Sequence, residues 1–74
     1  MLTIRDKKEM KRMGYEFRAF FVNPHGVPFH KDFMTIAGMA GFVREAKEAG
    51  SKFKGYDSRT GKEAGYNFGA LTRQ

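Results

Sequence analysis

The chain has no cysteine, no tryptophan and only two prolines among its 74 residues. Without cysteine there is no disulfide framework and no thiolate metal site, so folding rests on an ordinary apolar core. Also missing is any apolar run approaching the roughly 20 residues that span a bilayer, or a hydrophobic N-terminal stretch of the signal-peptide kind. The expectation is a cytoplasmic protein with no membrane partner. Repeats, low-complexity tracts and linkers are absent as well, so the sequence reads as one compact domain over 1–74. No Gly-rich phosphate loop is found: Gly38-Met39-Ala40-Gly41 falls inside a helical pattern, not between a strand and a helix.

What is present is aromatic bulk and positive charge. Eight Phe and three Tyr suit a domain so small that it buries only about 60% of its unfolded surface, because each ring removes far more apolar area than Ala or Val. The formal charge is +6, and it is unevenly placed. Residues 1–13 hold five basic residues against two acidic ones, as do residues 51–74, while 14–50 balances four against four. Excess positive charge therefore sits toward the two ends of the chain, where it would suit a polyanion if the ends converge; the alternative is charge carried for solubility.

Local patterns predict an α+β fold in the order α-β-β-α-β-β, two hairpins forming a mostly antiparallel sheet with one long helix on one face. A basic helix spans 1–13, with Thr3 as its cap, Asp6 in its first turn and Gly14 as its stop. Only Ile4, Met10 and Met13 are available to dock it. Alternation from Tyr15 to Val22 predicts a strand with Tyr15, Phe17, Ala19 and Phe21 on its buried face. Asn23-Pro24-His25-Gly26 is turn chemistry, and closing it sets a register: Phe21 opposite Phe29, Phe20 opposite His30, Arg18 opposite Asp32, Phe17 opposite Phe33. The hairpin is thus 15–34, with Pro28 marking an edge strand.

Thr35 caps a core helix over 35–50, with Ile36, Met39, Ala40, Phe42, Val43, Ala46 and Ala49 on one half. Gly38 and Gly41 weaken it, and close approach of the helix to the sheet is the expected reason. A second hairpin is expected over 51–68, with Asp57 facing Lys62 and Phe53 facing Tyr66, followed by a frayed tail at 69–74.

Candidate chemistry is sparse. His25, His30 and Asp32 are too few and too separated for a zinc site. Ser51 and Ser58 lie in or beside turns with no histidine near in sequence, so nucleophilic catalysis has no support. The expectation is a protein that is not an enzyme and carries no cofactor or metal. The order helix, Gly14, strand, turn, Val27-Pro28-Phe29-His30, helix is similar to small mRNA interferase toxins with a double-stranded-RNA-binding-like fold, but their Gly-Ser-His-type strand histidine has no counterpart here. The segment Tyr56-Asp57-Ser58-Arg59-Thr60-Gly61-Lys62 resembles a hairpin in the arm-binding domains of tyrosine recombinases. Neither resemblance transfers an active site to this chain.

The functional signal that remains is basic residues interleaved with aromatics. Strict alternation puts Lys52, Lys54 and Tyr56 on one strand face, opposite Phe53, where two lysines can track phosphates while the ring stacks on a base. Arg59 and Lys62 extend that face, and Lys7, Lys8, Lys11 and Arg12 add to it from the first helix. The expected function is nucleic-acid binding, to a DNA or RNA backbone. The alternative is a small phage-type regulator or inhibitor that docks on an acidic surface of a larger protein through Phe20, His30 and Met34.

Overall fold

The computed structural model describes residues 2–60. They form helix α1 (Ile4–Met13), strands β1 (Phe17–Val22) and β2 (Pro28–Phe33), helix α2 (Ile36–Glu48) and strand β3 (Lys52–Ser58). The fold is α+β. Its sheet has the order β2-β1-β3, with β1 antiparallel to both neighbours, so β2 and β3 run parallel to each other and α2 makes the crossover between them. The second strand of the expected second hairpin, with its Asp57–Lys62 and Phe53–Tyr66 pairings, and the tail lie outside the described residues.

Each element begins where its sequence chemistry places it. Thr3 caps α1 with a full capping box: its hydroxyl accepts the Asp6 N–H at 3.1 Å, and its own N–H donates to Asp6 Oδ2 at 3.0 Å. The helix stops at Gly14. Asn23 organises the hairpin turn. Its N–H donates to the Val27 carbonyl at 2.9 Å, and its side-chain oxygen accepts the His25 and Val27 N–H groups. Gly26 sits at φ +85°, a conformation that disfavours any residue with a Cβ. The resulting register pairs Phe21 with Phe29, Phe20 with His30, Arg18 with Asp32 and Phe17 with Phe33, as the turn chemistry predicts. Among the described residues β2 is an edge strand, which suits Pro28 at its start.

The core lies between the sheet and α2. Ala19 and Phe21 from β1 and Tyr56 from β3 meet Met39, Val43 and Ala46 from α2. Phe21 is its hub: its ring stacks on Phe29 with centroids 5.1 Å apart and also contacts Phe42 and Phe53. The opposite sheet face carries Arg18, because neighbours along a strand point to opposite sides, and α1 covers it there. The chain is therefore layered α1, sheet, α2. Of the three side chains expected to dock α1, only Met10 is buried, at 0% exposure, joined by Leu2; Ile4 is 74% exposed and Met13 also points outward.

Two strand and helix details depart from expectation. Between β1 and β3 the register slips, with Phe21 facing Phe53 and Phe20 facing Gly55. Lys54 is the extra residue of a bulge, made possible by Gly55 at φ +137°. The slip resets the alternation and turns Tyr56 to the same side as Phe53. The glycines of α2, for their part, do not mark close approach to the sheet. A Cβ at Gly41 would meet no described atom within 4 Å, and one at Gly38 would meet only the capping Thr35 hydroxyl at 3.3 Å.

These two kinds of glycine respond oppositely to alanine. Gly41→Ala raises stability by about 0.5–1 kcal/mol through helix propensity and unfolded-chain entropy, whereas Gly55→Ala lowers it by roughly 1–3 kcal/mol through backbone strain. Urea melts of the two variants check both signs.

Candidate nucleic-acid interface

The side of the sheet under α1 is organised by one cation. Arg18 is 4% exposed, and a guanidinium placed so deep needs carboxylates on its donors. It has three. Nε and Nη2 donate side-on to Asp32 of β2 at 2.6 and 3.0 Å. Nη1 donates to Asp6 Oδ1 at 3.2 Å and Nη2 to Glu9 Oε1 at 2.9 Å, both on α1. The Asp32 bonds first, then those of Glu9, hold Arg18 above its ordinary pKa against the opposing effect of burial. Asp57 faces Arg18 from β3 in the sheet register. Among the described residues no buried side-chain nitrogen or oxygen lacks a partner.

This arrangement decides which way α1 turns. Asp6 and Glu9 lie on the helix face that also carries buried Met10, so the two acidic residues of the helix both look at the sheet. Arg5, Lys7, Lys8, Lys11 and Arg12 are all exposed, and at about 100° per residue they share an arc of roughly 160°. Ile4 is the only other residue within that arc. On α2, across the sheet, the exposed charges are balanced: Arg44 and Lys47 against Glu45 and Glu48.

The sequence-predicted site residues divide accordingly. Lys7, Lys8, Lys11 and Arg12 stand together on the outer arc. Arg5 joins them and was missed; its spacing of three and seven from Lys8 and Arg12 is the helical signal for it. Lys52 is exposed and, across from Val22, on the α1 side of the sheet; Lys54 is exposed at the bulge. Tyr56 is a correction. It is 3% exposed, with its ring edge-on to Phe17 at 6.2 Å within the core, so it does not share an open face with Lys52 and Lys54. Arg59 is engaged at the base of β1, pairing with Glu16 and donating from Nε to the Tyr15 carbonyl at 3.1 Å. Lys62 lies outside the described residues.

The residues considered as protein-docking anchors are less uniform. Phe20 is half-buried, with its ring edge-to-face on His30 at 6.3 Å. His30 and Met34 are exposed, Met34 at 65%. His25 is exposed in the turn. Among the described residues no three His, Asp or Glu side chains group as a metal site. Ser58 is buried with its hydroxyl 2.8 Å from that of Thr60. No described helix is long and apolar enough to cross a membrane. No known family, curated protein or solved structure matches the chain.

Replacing the organising cation removes the reason for this orientation. Arg18→Met leaves Asp6, Glu9 and Asp32 facing one another without the cation that joins them, although Asp6 keeps its Thr3 N–H. It costs on the order of 2–3 kcal/mol, less than for a fully buried pair because the carboxylates are partly solvated. The loss appears in a denaturant melt, and new cleavage at the α1 lysines under limited trypsin treatment shows the helix leaving the sheet.

Acid acts on the same contacts. Asp6 lies below its ordinary value of 3.8, chiefly through the Thr3 backbone N–H, with the Thr3 hydroxyl and the Arg18 and His30 charges adding and burial opposing. A carboxylate with a depressed folded value stabilises the fold above its unfolded value, and that contribution fades as pH falls through the lower folded one. The thermal midpoint therefore drops between pH 5 and pH 3, and Asp6→Asn shows a smaller drop over that interval.

Proposed function

We propose that this protein is a small, non-enzymatic nucleic-acid-binding module that works through the outer face of α1. The carrying observation is that both acidic residues of the helix pair with Arg18, which leaves five exposed cations, Arg5, Lys7, Lys8, Lys11 and Arg12, on one arc that Glu9 borders only at its Arg5 and Arg12 edge. A polyphosphate backbone is the ligand that such a face fits, because each contacted phosphate releases condensed counterions. Lys52, on the same side of the sheet, extends the positive field. The balanced charge of α2 supports the same reading: net charge kept for solubility alone has no reason to gather on one helix.

The buried position of Tyr56 removes base stacking from the role first expected of it, so binding rests on the backbone. The cytoplasm, where nucleic acid is available, is the proposed location. The alternative of docking on an acidic protein through Phe20, His30 and Met34 has less in its favour, since the ring expected to anchor it is packed against His30.

The test is fluorescence anisotropy with a labelled nucleic acid of mixed sequence. Affinity falls by tenfold or more between 50 and 200 mM salt. Lys8→Glu with Arg12→Glu weakens it by a further tenfold or more, while Arg44→Glu on α2 leaves it within about twofold. Salt-independent binding, or an equal loss from Arg44→Glu, overturns the proposal.

A further inference from the structure

The α1 face carries enough geometry to say which nucleic acid it fits, given the reading above. We infer that α1 lies in the major groove of duplex DNA, with its two rows of cations on the phosphates of the opposite groove walls.

The rows follow from the helix. Arg5, Lys8 and Arg12 form one and Lys7 and Lys11 the other, with exposed Ile4 between them. A helix with its side chains is about 10–12 Å across, and the major groove of B-form DNA is about 12 Å wide, so the helix enters and its flanking cations reach both strands. The apolar residue between the rows then faces the groove floor, where thymine methyl groups offer apolar contact. From Arg5 to Arg12 the helix rises about 10 Å, the length of roughly three base pairs. An A-form RNA duplex does not admit the helix, because its major groove is deep and narrow.

Single strands are disfavoured by what this face lacks. Sequence-tolerant single-strand binding depends on exposed rings on which bases stack. The outer arc of α1 has none, Tyr56 is in the core, and Phe20 is half-buried against His30. Phosphate contacts without stacking suit a ligand whose bases are already stacked on one another.

The full chain is tested against three labelled probes of one sequence: a 20-base-pair DNA duplex, its single strand and the corresponding RNA duplex. The DNA duplex binds at least about fivefold more tightly than either of the others. The logarithm of its affinity falls with the logarithm of salt with a slope of about −4.5, as about five phosphate contacts require. Bulky C5 substituents on the cytosines, which fill the major groove, weaken binding at least fivefold, and the minor-groove ligand distamycin does not compete. Equal or tighter binding to the single strand or to RNA, or competition by distamycin, overturns the groove assignment and leaves the nucleic-acid reading standing. Absence of salt-sensitive binding to all three probes overturns both.

Discussion

A guanidinium held almost out of water is the constraint from which most of this structure follows. Desolvating Arg18 costs several kcal/mol, and carboxylates on its donors do little more than return that cost. Its value lies in what it specifies. Asp32 ties β2 to β1 at one register position, and a slip of one residue would bring Lys31 or Phe33 opposite Arg18 instead. Asp6 and Glu9 tie α1 to the same point, and Asp6 also closes the capping box through Thr3. One cation thus joins the start of the first helix, the central strand and the edge strand. Turning α1 by a single residue, about 100°, would replace the carboxylates of Asp6 and Glu9 with Lys7 and Met10. The outward basic face is the other side of that requirement.

Much of this was legible because the signals are local. The capping box of Thr3 and Asp6, the stop at Gly14, the Asn23-Pro24-His25-Gly26 turn and the Thr35 cap each state their geometry within four residues. The hairpin register follows from the turn, and with it the Arg18–Asp32 pair. What the sequence concealed was non-local. That Arg18 also collects Asp6 and Glu9 depends on α1 folding over the sheet face opposite α2, which no short-range pattern announces. The thin apolar content of α1 was visible, but the ionic docking that compensates for it was not.

The second gap was one of parity. Period-two alternation is a strong signal only while every residue of a strand is paired, and Lys54 is the residue that breaks the count. Counting straight through puts Lys52, Lys54 and Tyr56 together; counting across the bulge puts Phe53 and Tyr56 together in the core. Gly55 was the available warning, since a glycine inside a strand often marks such an irregularity. The consequence reaches function, because the ring that strict alternation offers to a base is the ring that fills the space between Ala19 and Phe17. The basic residues of the helix gain importance as the strand loses its aromatic.

A basic helix of this kind is under strain of its own. Lys7 and Lys11, and Lys8 and Arg12, are four residues apart, and Arg5 and Lys8, like Lys8 and Lys11, are three apart; like charges at these spacings each cost a few tenths of a kcal/mol. Lys11 and Arg12 sit in the last turn, where the helix dipole favours them, but Arg5 and Lys7 sit in the first, where it does not. Asp6 offsets the dipole there, yet its charge is shared with Arg18. The helix is therefore less stable alone than its caps imply, and on the proposed reading a line of phosphates along its outer face would relieve the repulsion that the fold creates by drawing Asp6 and Glu9 inward. The proposed binding and the order of α1 would be linked for that reason: the carboxylates that dock the helix are the ones whose withdrawal leaves its outer face short of negative charge.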